Sequence, residues 1–270
     1  MRLSMVGAKG VAFAMPIVRH SPRSLAKSAV MQRIIKLARS VLKRAKFEVR
    51  RIELNRVTRR VQRIAGISNY PEQFRRYHLG CGSMLIPGYL NIDGIDQAVI
   101  LEHVSGKQCL YMEFDLKIGI PAESSSLDVI YHSHFLEHLS EIEGRALLIE
   151  CYRCLRSGAS MRIAVPDLEL WCRNYVLKNS AFFEWYRTTY LNSDSRRYDT
   201  HAAVFMGMIY NWDHKMAYDL ETLNLRLREI GFREVIRSTW GHSRVIPGIE
   251  LLEAADSDRR HESLVIECTK

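Results

Sequence analysis

Hydrophobic periodicity divides the chain into two regimes. From about Ser24 to Ala65 there is neither proline nor glycine, and apolar residues recur at spacings of three and four. Val30, Ile34, Leu37 and Val41 form one stripe; Leu42, Ala45, Val49 and Ile52 continue it with a drift, followed by Val57, Val61 and Ile64. This pattern predicts one long amphipathic helix, or two, with an arginine-rich polar face. Residues 1–23 read as irregular, and Gly66, Ser68, Asn69 and Pro71 punctuate the end of the helical region. The expected division is therefore an irregular segment 1–23, a basic helical extension 24–70 and a body 71–270.

In the body, short apolar runs alternate with helical patterns. Strands are predicted at Arg76–Leu79, Leu90–Ile92, Cys109–Phe114, Leu127–His132, Ser160–Val165, Glu234–Ser238 and Leu264–Cys268. Helices are predicted at Glu141–Leu155, Leu168–Val176 and Leu220–Ile230, the last stopped by Gly231. Strands separated by helices imply an α/β fold with a doubly wound, mostly parallel seven-stranded sheet. Ligands of such sheets bind at the carboxyl ends of the strands.

Charge changes the picture of the extension, not of the body. The 270 residues carry a formal net charge of +9, which on its face suggests a nucleic-acid or membrane partner. Residues 1–76 hold 19 Lys and Arg against 3 acidic residues, whereas residues 77–270 hold 20 against 27. A basic extension is thus joined to a mildly acidic body. For the 24–65 helix three readings compete: packing on the body or on a second subunit, peripheral contact with a membrane surface, and nucleic-acid binding. Phe47 is its one aromatic, and that scarcity of stacking groups speaks against nucleic acid.

The run Val11–Val18 is short and interrupted by Pro16, unlike a signal peptide, and no apolar run reaches the roughly 18 residues of a membrane span. Six cysteines scattered through a chain of this size suit a reducing compartment. Cytoplasmic location, with docking at a membrane as the variant, is the expectation. Cys151 and Cys154 form a C-x-x-C within a helical stretch, with no second pair nearby, so core packing is the simpler role.

Candidate chemistry gathers at the predicted strand ends. The first strand runs into Tyr77-His78-Leu79-Gly80-Cys81-Gly82-Ser83, whose glycines permit a tight turn and close approach of a ligand. The second ends at Asp93, eleven residues after Gly82, an acid suited to the paired hydroxyls of a ribose. The third ends at Asp115, the fourth leads through Ser133 into His134-Phe135-Leu136-Glu137-His138, and the fifth ends at Asp167.

In this order and spacing the body resembles the class I S-adenosylmethionine-dependent methyltransferases. It is most similar to a set of bacterial predicted methyltransferases marked by LHLGCG…PGYxNxD, here Tyr77-His78-Leu79-Gly80-Cys81-Gly82 through Pro87-Gly88-Tyr89-Leu90-Asn91-Ile92-Asp93. The likeness extends through SSSLDVIYHSHFLEHL, ECYRCLRSGASMRIAVPDLE, HKMAYDLETLNLRLREIGF and ESLVIECTK, from Phe74 to the C-terminus.

The resemblance implies S-adenosyl-L-methionine as cofactor. Gly80, Cys81 and Gly82 would line its methionine side, Asp93 would hold the ribose, and Asp115 with Leu116 the adenine. Ser133 and His134 would face the sulfonium and the acceptor. The pattern departs from the broad family at three points. His78 stands where many members carry an acid, Ser83-Met84 replaces a third glycine, and the Gly82–Asp93 interval leaves little room for a first helix.

A sulfonium methyl is already activated, so the protein must chiefly align the acceptor and exclude water. Where the acceptor loses a proton early, His134, Asp167 and His214 are the candidate bases, His134 first. The insert 168–219 holds 12 of the 25 aromatics, which suits its own small core plus a platform for a small-molecule or saccharide acceptor. No metal is assigned. His134–His138 also spells H-x-x-E-H, the pattern of inverted zinc proteases, which would need both histidines on one helix turn. A non-catalytic adaptor docking through the basic helix is the third reading.

Deleting residues 1–65 should abolish any affinity for liposomes or nucleic acid and leave cofactor binding intact. Co-sedimentation and calorimetry check this, and lost cofactor binding would make the helix part of the body's fold.

Overall fold

Alternating burial along short strands builds the body as a sheet. The computed structural model describes residues 75–94, 99–104, 107–191 and 196–270, and the expected segments 1–23 and 24–70 lie outside the described residues. Among the described residues eight strands occur: β1 Arg76–Leu79, β2 Leu90–Asp93, β3 Val99–Val104, β4 Lys107–Glu113, β5 Leu127–Ser133, β6 Leu155–Pro166, β7 Arg233–Ser238 and β8 Ser263–Thr269. They lie in the order β3-β4-β2-β1-β5-β6-β8-β7.

Pairings from β4 across to β6 are parallel, while β3–β4, β6–β8 and β7–β8 are antiparallel. All seven expected strands are present. The eighth, β3, is an edge strand paired only to β4; its run VILEHV shows no strict alternation that would have separated it from a loop.

The helices follow local signals. The helix α1 (Glu141–Cys154) starts on a capping box in which the Ser140 hydroxyl and the Glu143 carboxylate each take the other's backbone N–H. The helix α2 (Leu168–Val176) is capped by Asp167, α3 (Ser180–Tyr190) by Asn179 and α4 (His201–Tyr210) by Thr200. The helix α5 (Leu220–Ile230) begins at Asp219 and ends on Gly231 at φ +118°, a left-handed C-cap. Helices α3 and α4 fall in the insert beyond α2, where no helix was expected; α4 is apolar almost all round and offers no polar face to periodicity. Among the described residues no helix is long and apolar enough to cross a membrane.

The two sheet faces are covered differently. On one, Leu79, Ile130, Ile163 and Ile266 pack with Leu147, Leu148 and Cys151 of α1 and Leu223 and Leu227 of α5. Cys151 and Cys154 are both fully buried and unbridged here, so the C-x-x-C is core. On the other face Val129 and Tyr131 pack with Ile86 and Tyr89 from the β1–β2 connection and with Ile246, Ile249 and Leu252 from the β7–β8 connection. Residues 81–89 contain turns and no helix, so these apolar side chains and the 239–262 excursion cover the sheet beside the short crossover.

That excursion is fastened by Arg162 on β6, which is fully buried. Its guanidinium donates to both carboxylate oxygens of Glu253 at 2.7 and 2.5 Å, to Glu267 at 2.7 Å, and to the carbonyls of Thr239 and His242 at 2.9 and 3.1 Å.

Replacing Arg162 by Met would strand two buried carboxylates. It should lower stability by about 3–5 kcal/mol, read from denaturant melts, since breaking a buried pair leaves its partners uncompensated.

Candidate functional site

The chain passes from β1 to β2 and β4 on one side, then returns to β5 on the other side of β1. A crevice therefore opens between the carboxyl ends of β1 and β5, the switch point where doubly wound sheets bind ligands. A cleft of about 460 Å³ lies there, lined by His78, Gly80–Met84, Asp93, Ser133–Phe135, His138 and Arg259. Asp93 and Phe135 also border a slot of about 190 Å³ with Phe114, Asp115, Leu116 and Leu139. His134, His138 and Arg259 also border a third cavity of about 280 Å³, with Tyr186, Tyr190, Trp212, His214 and Glu262. The three share walls and run along one sheet edge.

Gly80, Cys81, Gly82, Asp93 and Ser133 thus line the central cleft, and Asp115 and Leu116 the narrow slot. The β1 turn depends on its glycines for different reasons. Gly80 sits at φ +63°, and a Cβ there would fall 2.1 Å from Cγ of Phe135, so no side chain fits. Gly82, at φ +52°, has nothing within 4 Å of a Cβ position and leaves its backbone open to the cleft. Asp93 accepts the Gly82 and Gly94 N–H groups, both at 2.6 Å, which fixes its carboxylate between the β1 turn and the slot. Each oxygen keeps a second lone-pair direction for a ligand hydroxyl. Asp115 accepts the Lys117 N–H at 2.9 Å and starts a 3-10 turn, which puts Leu116 on the slot's wall.

His78 is buried and points into this edge. The Asn91 amide group donates to the carbonyls of Ile86, Tyr89 and Leu110, which sets its orientation. Its oxygen therefore accepts from the Ile86 N–H at 2.8 Å and from His78 Nδ1–H at 3.1 Å. Burial holds the His78 imidazole near pKa 4, so it is neutral at pH 7.

Two further stretches wall the third cavity. Residues 134–140 leave β5 through His134 at φ +51°, and the turn 211–213 closes the insert with Trp212 and Asp213 at φ +63° and +59°. Such conformations are strained for residues other than glycine and persist only where surroundings enforce them. Here the Glu137 carbonyl accepts the N–H groups of Lys215 and Met216 at 2.8 and 3.1 Å, which ties the two stretches together.

The Ser263 hydroxyl donates to the Arg259 carbonyl, so His134 Nε2–H donates to Ser263 at 2.7 Å and Nδ1 carries the lone pair. That lone pair lies 3.5 Å from Glu137 Oε1. Burial lowers the His134 pKa well below its usual value, which makes it a weak base. His214 Nδ1–H donates to the Met208 carbonyl at 2.7 Å, leaving Nε2 free of its proton. Burial also pushes the Glu137 and Glu262 carboxyls up to about 8.

Asp167 is placed elsewhere. Its carboxylate caps α2 through the Leu170 N–H and pairs with Arg237 at 2.6 Å, and it borders none of the three cavities. A base already committed to an ion pair and a helix cap holds structure, which corrects its listing among candidate bases. The protease geometry also fails: Leu136–His138 is a single 3-10 turn, and His134 lies before it at positive φ, so His134 and His138 do not share a helix face.

Eight of the insert's twelve aromatics belong to its own core around Trp171, while Tyr186, Tyr190 and Trp212 reach the third cavity. Phe135, Arg259 and Glu262 were not anticipated. A signal existed for Arg259 and Glu262 only in the length of the β7–β8 connection, too long for a hairpin turn.

No family model matches the chain, and no curated protein matches it. Among solved structures it is similar to a SAM-dependent methyltransferase from Archaeoglobus fulgidus, at 19% identity over 80% of this chain and 94% of that one, TM-score 0.41. A SAM-dependent methyltransferase from Thermotoga maritima, a possible histamine N-methyltransferase, is 12% identical over 86% and 97%, TM-score 0.40. A third, the Haloferax volcanii complex of the Trm112 activator with its methyltransferase, gives 12% over 72% and 81%, TM-score 0.40. The chemistry is therefore argued from this chain's own residues.

Beside the site, His132 is fully buried with neither ring nitrogen hydrogen-bonded among the described residues, and burial lowers its pKa to about 3. The unfolded chain takes up a proton below about pH 6.5 that the fold refuses, so stability should fall as pH drops from there. His132→Leu should flatten this loss: the variant's advantage over the parent in denaturant melts should be larger at pH 5 than at pH 8.

Proposed function

We propose that the chain is an S-adenosylmethionine-dependent methyltransferase whose acceptor enters the aromatic-lined third cavity. The observation that carries this reading is the continuity of the three cavities along one sheet edge, in the order an elongated nucleoside–amino acid ligand needs. The slot between Leu116, Leu139 and Phe135 suits an adenine ring, with the Asp115 carboxylate at its rim. Asp93, at the junction of slot and cleft, suits the ribose hydroxyls. The open backbone at Gly82 suits the methionine portion, and Arg259 offers a guanidinium to its carboxylate.

When bound, the cofactor would supply a methyl group activated by the adjacent sulfonium. The residues of the chain orient and shield. His134 and Arg259, common to the cleft and the third cavity, mark the passage between donor and acceptor. Tyr186, Tyr190 and Trp212 offer ring faces to a small molecule or saccharide. His214 Nε2, on the third cavity's wall, is the unprotonated nitrogen able to take a proton from an acceptor when no cation holds it, whereas His134 Nδ1 faces Glu137.

Calorimetry with S-adenosylhomocysteine tests the reading. One site per chain is expected, weakened roughly 30- to 150-fold by Asp93→Ala, the loss of about 2–3 kcal/mol for hydrogen bonds to a charged group. Absence of binding, or binding indifferent to that substitution, would refute it.

A further inference from the structure

We propose that Glu137, His138 and His214 form a binding site for one divalent transition-metal cation on the wall of the third cavity. One ligand-capable atom from each lies within 4.8 Å of the other two. The grouping is not an accident of exposed side chains. Glu137 is 1% exposed, and neither carboxylate oxygen has a hydrogen-bond partner among the described residues. His134 Nδ1, which carries a lone pair, lies 3.5 Å from Glu137 Oε1. An orphaned buried carboxylate is costly, and a cation in front of it removes the cost.

The histidines are prepared as ligands. His214 gives its Nδ1 proton to the Met208 carbonyl, which fixes the ring and turns the Nε2 lone pair outward. His138 is half-buried beside it, and a neutral imidazole keeps a lone pair on one ring nitrogen. The two rings meet edge to face at 4.7 Å. The backbone bonds from Lys215 and Met216 to the Glu137 carbonyl hold the two stretches in register.

Two imidazoles and one carboxylate suit Mn²⁺, Fe²⁺, Co²⁺ or Zn²⁺ better than the oxygen-only cages of Ca²⁺ or Mg²⁺. Three protein ligands leave coordination positions for a substrate or water. His138 and His214 both line the third cavity, so the exchangeable positions would face the acceptor. Resting on the methyltransferase reading, the acceptor is then an oxygen-bearing molecule oriented through a metal–oxygen bond. The site uses Glu137 and His138 of the H-x-x-E-H run, but the third ligand comes from the insert and not from His134.

The test is a titration of the full chain, stripped with chelator and desalted, with Co²⁺ and Zn²⁺, followed by visible absorption and calorimetry. One equivalent bound, weakened at least tenfold in both His138→Ala and His214→Ala and unchanged in His242→Ala, an exposed histidine outside the cluster, is the expected result. No stoichiometric binding, or equal binding by the cluster variants and the parent, overturns the proposal. Melting curves establish that the variants are folded, and S-adenosylhomocysteine titrations on the same samples separate failure of the metal site from failure of the cofactor site.

Discussion

The arrangement of the site depends on one buried cation. Arg162 stands on a central strand, on the sheet face that α1 and α5 do not cover, and its guanidinium is saturated by Glu253, Glu267 and backbone carbonyls from 239 and 242. Glu267 is its neighbour across the β6–β8 ladder, but Glu253 and the carbonyls belong to the long β7–β8 connection. Pinning that connection achieves two things. It presses Ile246, Ile249 and Leu252 over Tyr131 and the β1–β2 turns, and it returns the chain to the carboxyl edge with Arg259, Glu262 and Ser263 in place. Burying one arginine against two glutamates is expensive unless every proton is used. Here the planar fork of donors is used, something lysine could not do.

A short crossover between parallel strands is the second constraint. Ten residues separate β1 from β2, and none of the described ones is helical. A buried Asn91 compensates by hydrogen-bonding to both backbone groups of Ile86 and to the carbonyls of Tyr89 and Leu110. The same amide oxygen fixes the His78 tautomer, so the polar interior beneath the glycine turn is organised by one side chain. The Asn of the N-x-D run is therefore the partner of the Asp: Asn91 shapes the turn from below, and Asp93 receives its Gly82 N–H from the front.

How much could be read in advance follows the range of the interactions. Strand ends were legible because glycine turns and terminal acids are local signals, and Gly80, Gly82, Asp93 and Asp115 all fall on the cavity walls. Helices α1, α2 and α5 carried caps and stops in their own letters, such as Ser140, Asp167 and Gly231. Asp167 misled for that same reason: a strand-end acid and an N-cap acid look alike until the partner, Arg237, seventy residues away, is seen. The convergence of Glu137, His138 and His214 could not be read, since it rests on backbone bonds between two strained turns over seventy residues apart. The basic stretch 24–65 lies outside the described residues, so its three readings stand as the sequence left them.

The two halves of the groove are built from different material, and this bears on what each can recognise. The slot and the Asp93 end are formed by strand termini and short turns locked by main-chain hydrogen bonds, an arrangement suited to one invariant ligand. The third cavity is walled by the insert and the β7–β8 connection, segments held by their own aromatic cluster and by Arg162. Side chains there can change without disturbing the sheet, whereas His134 and Arg259, at the boundary, belong to both halves. Recognition by the third cavity is thus separable from recognition by the slot and cleft in this fold. Burial keeps the Glu137 carboxyl protonated at pH 7, so a cation drawn to it must displace that proton. The third cavity is for that reason the part of the molecule whose chemistry is completed by what it binds.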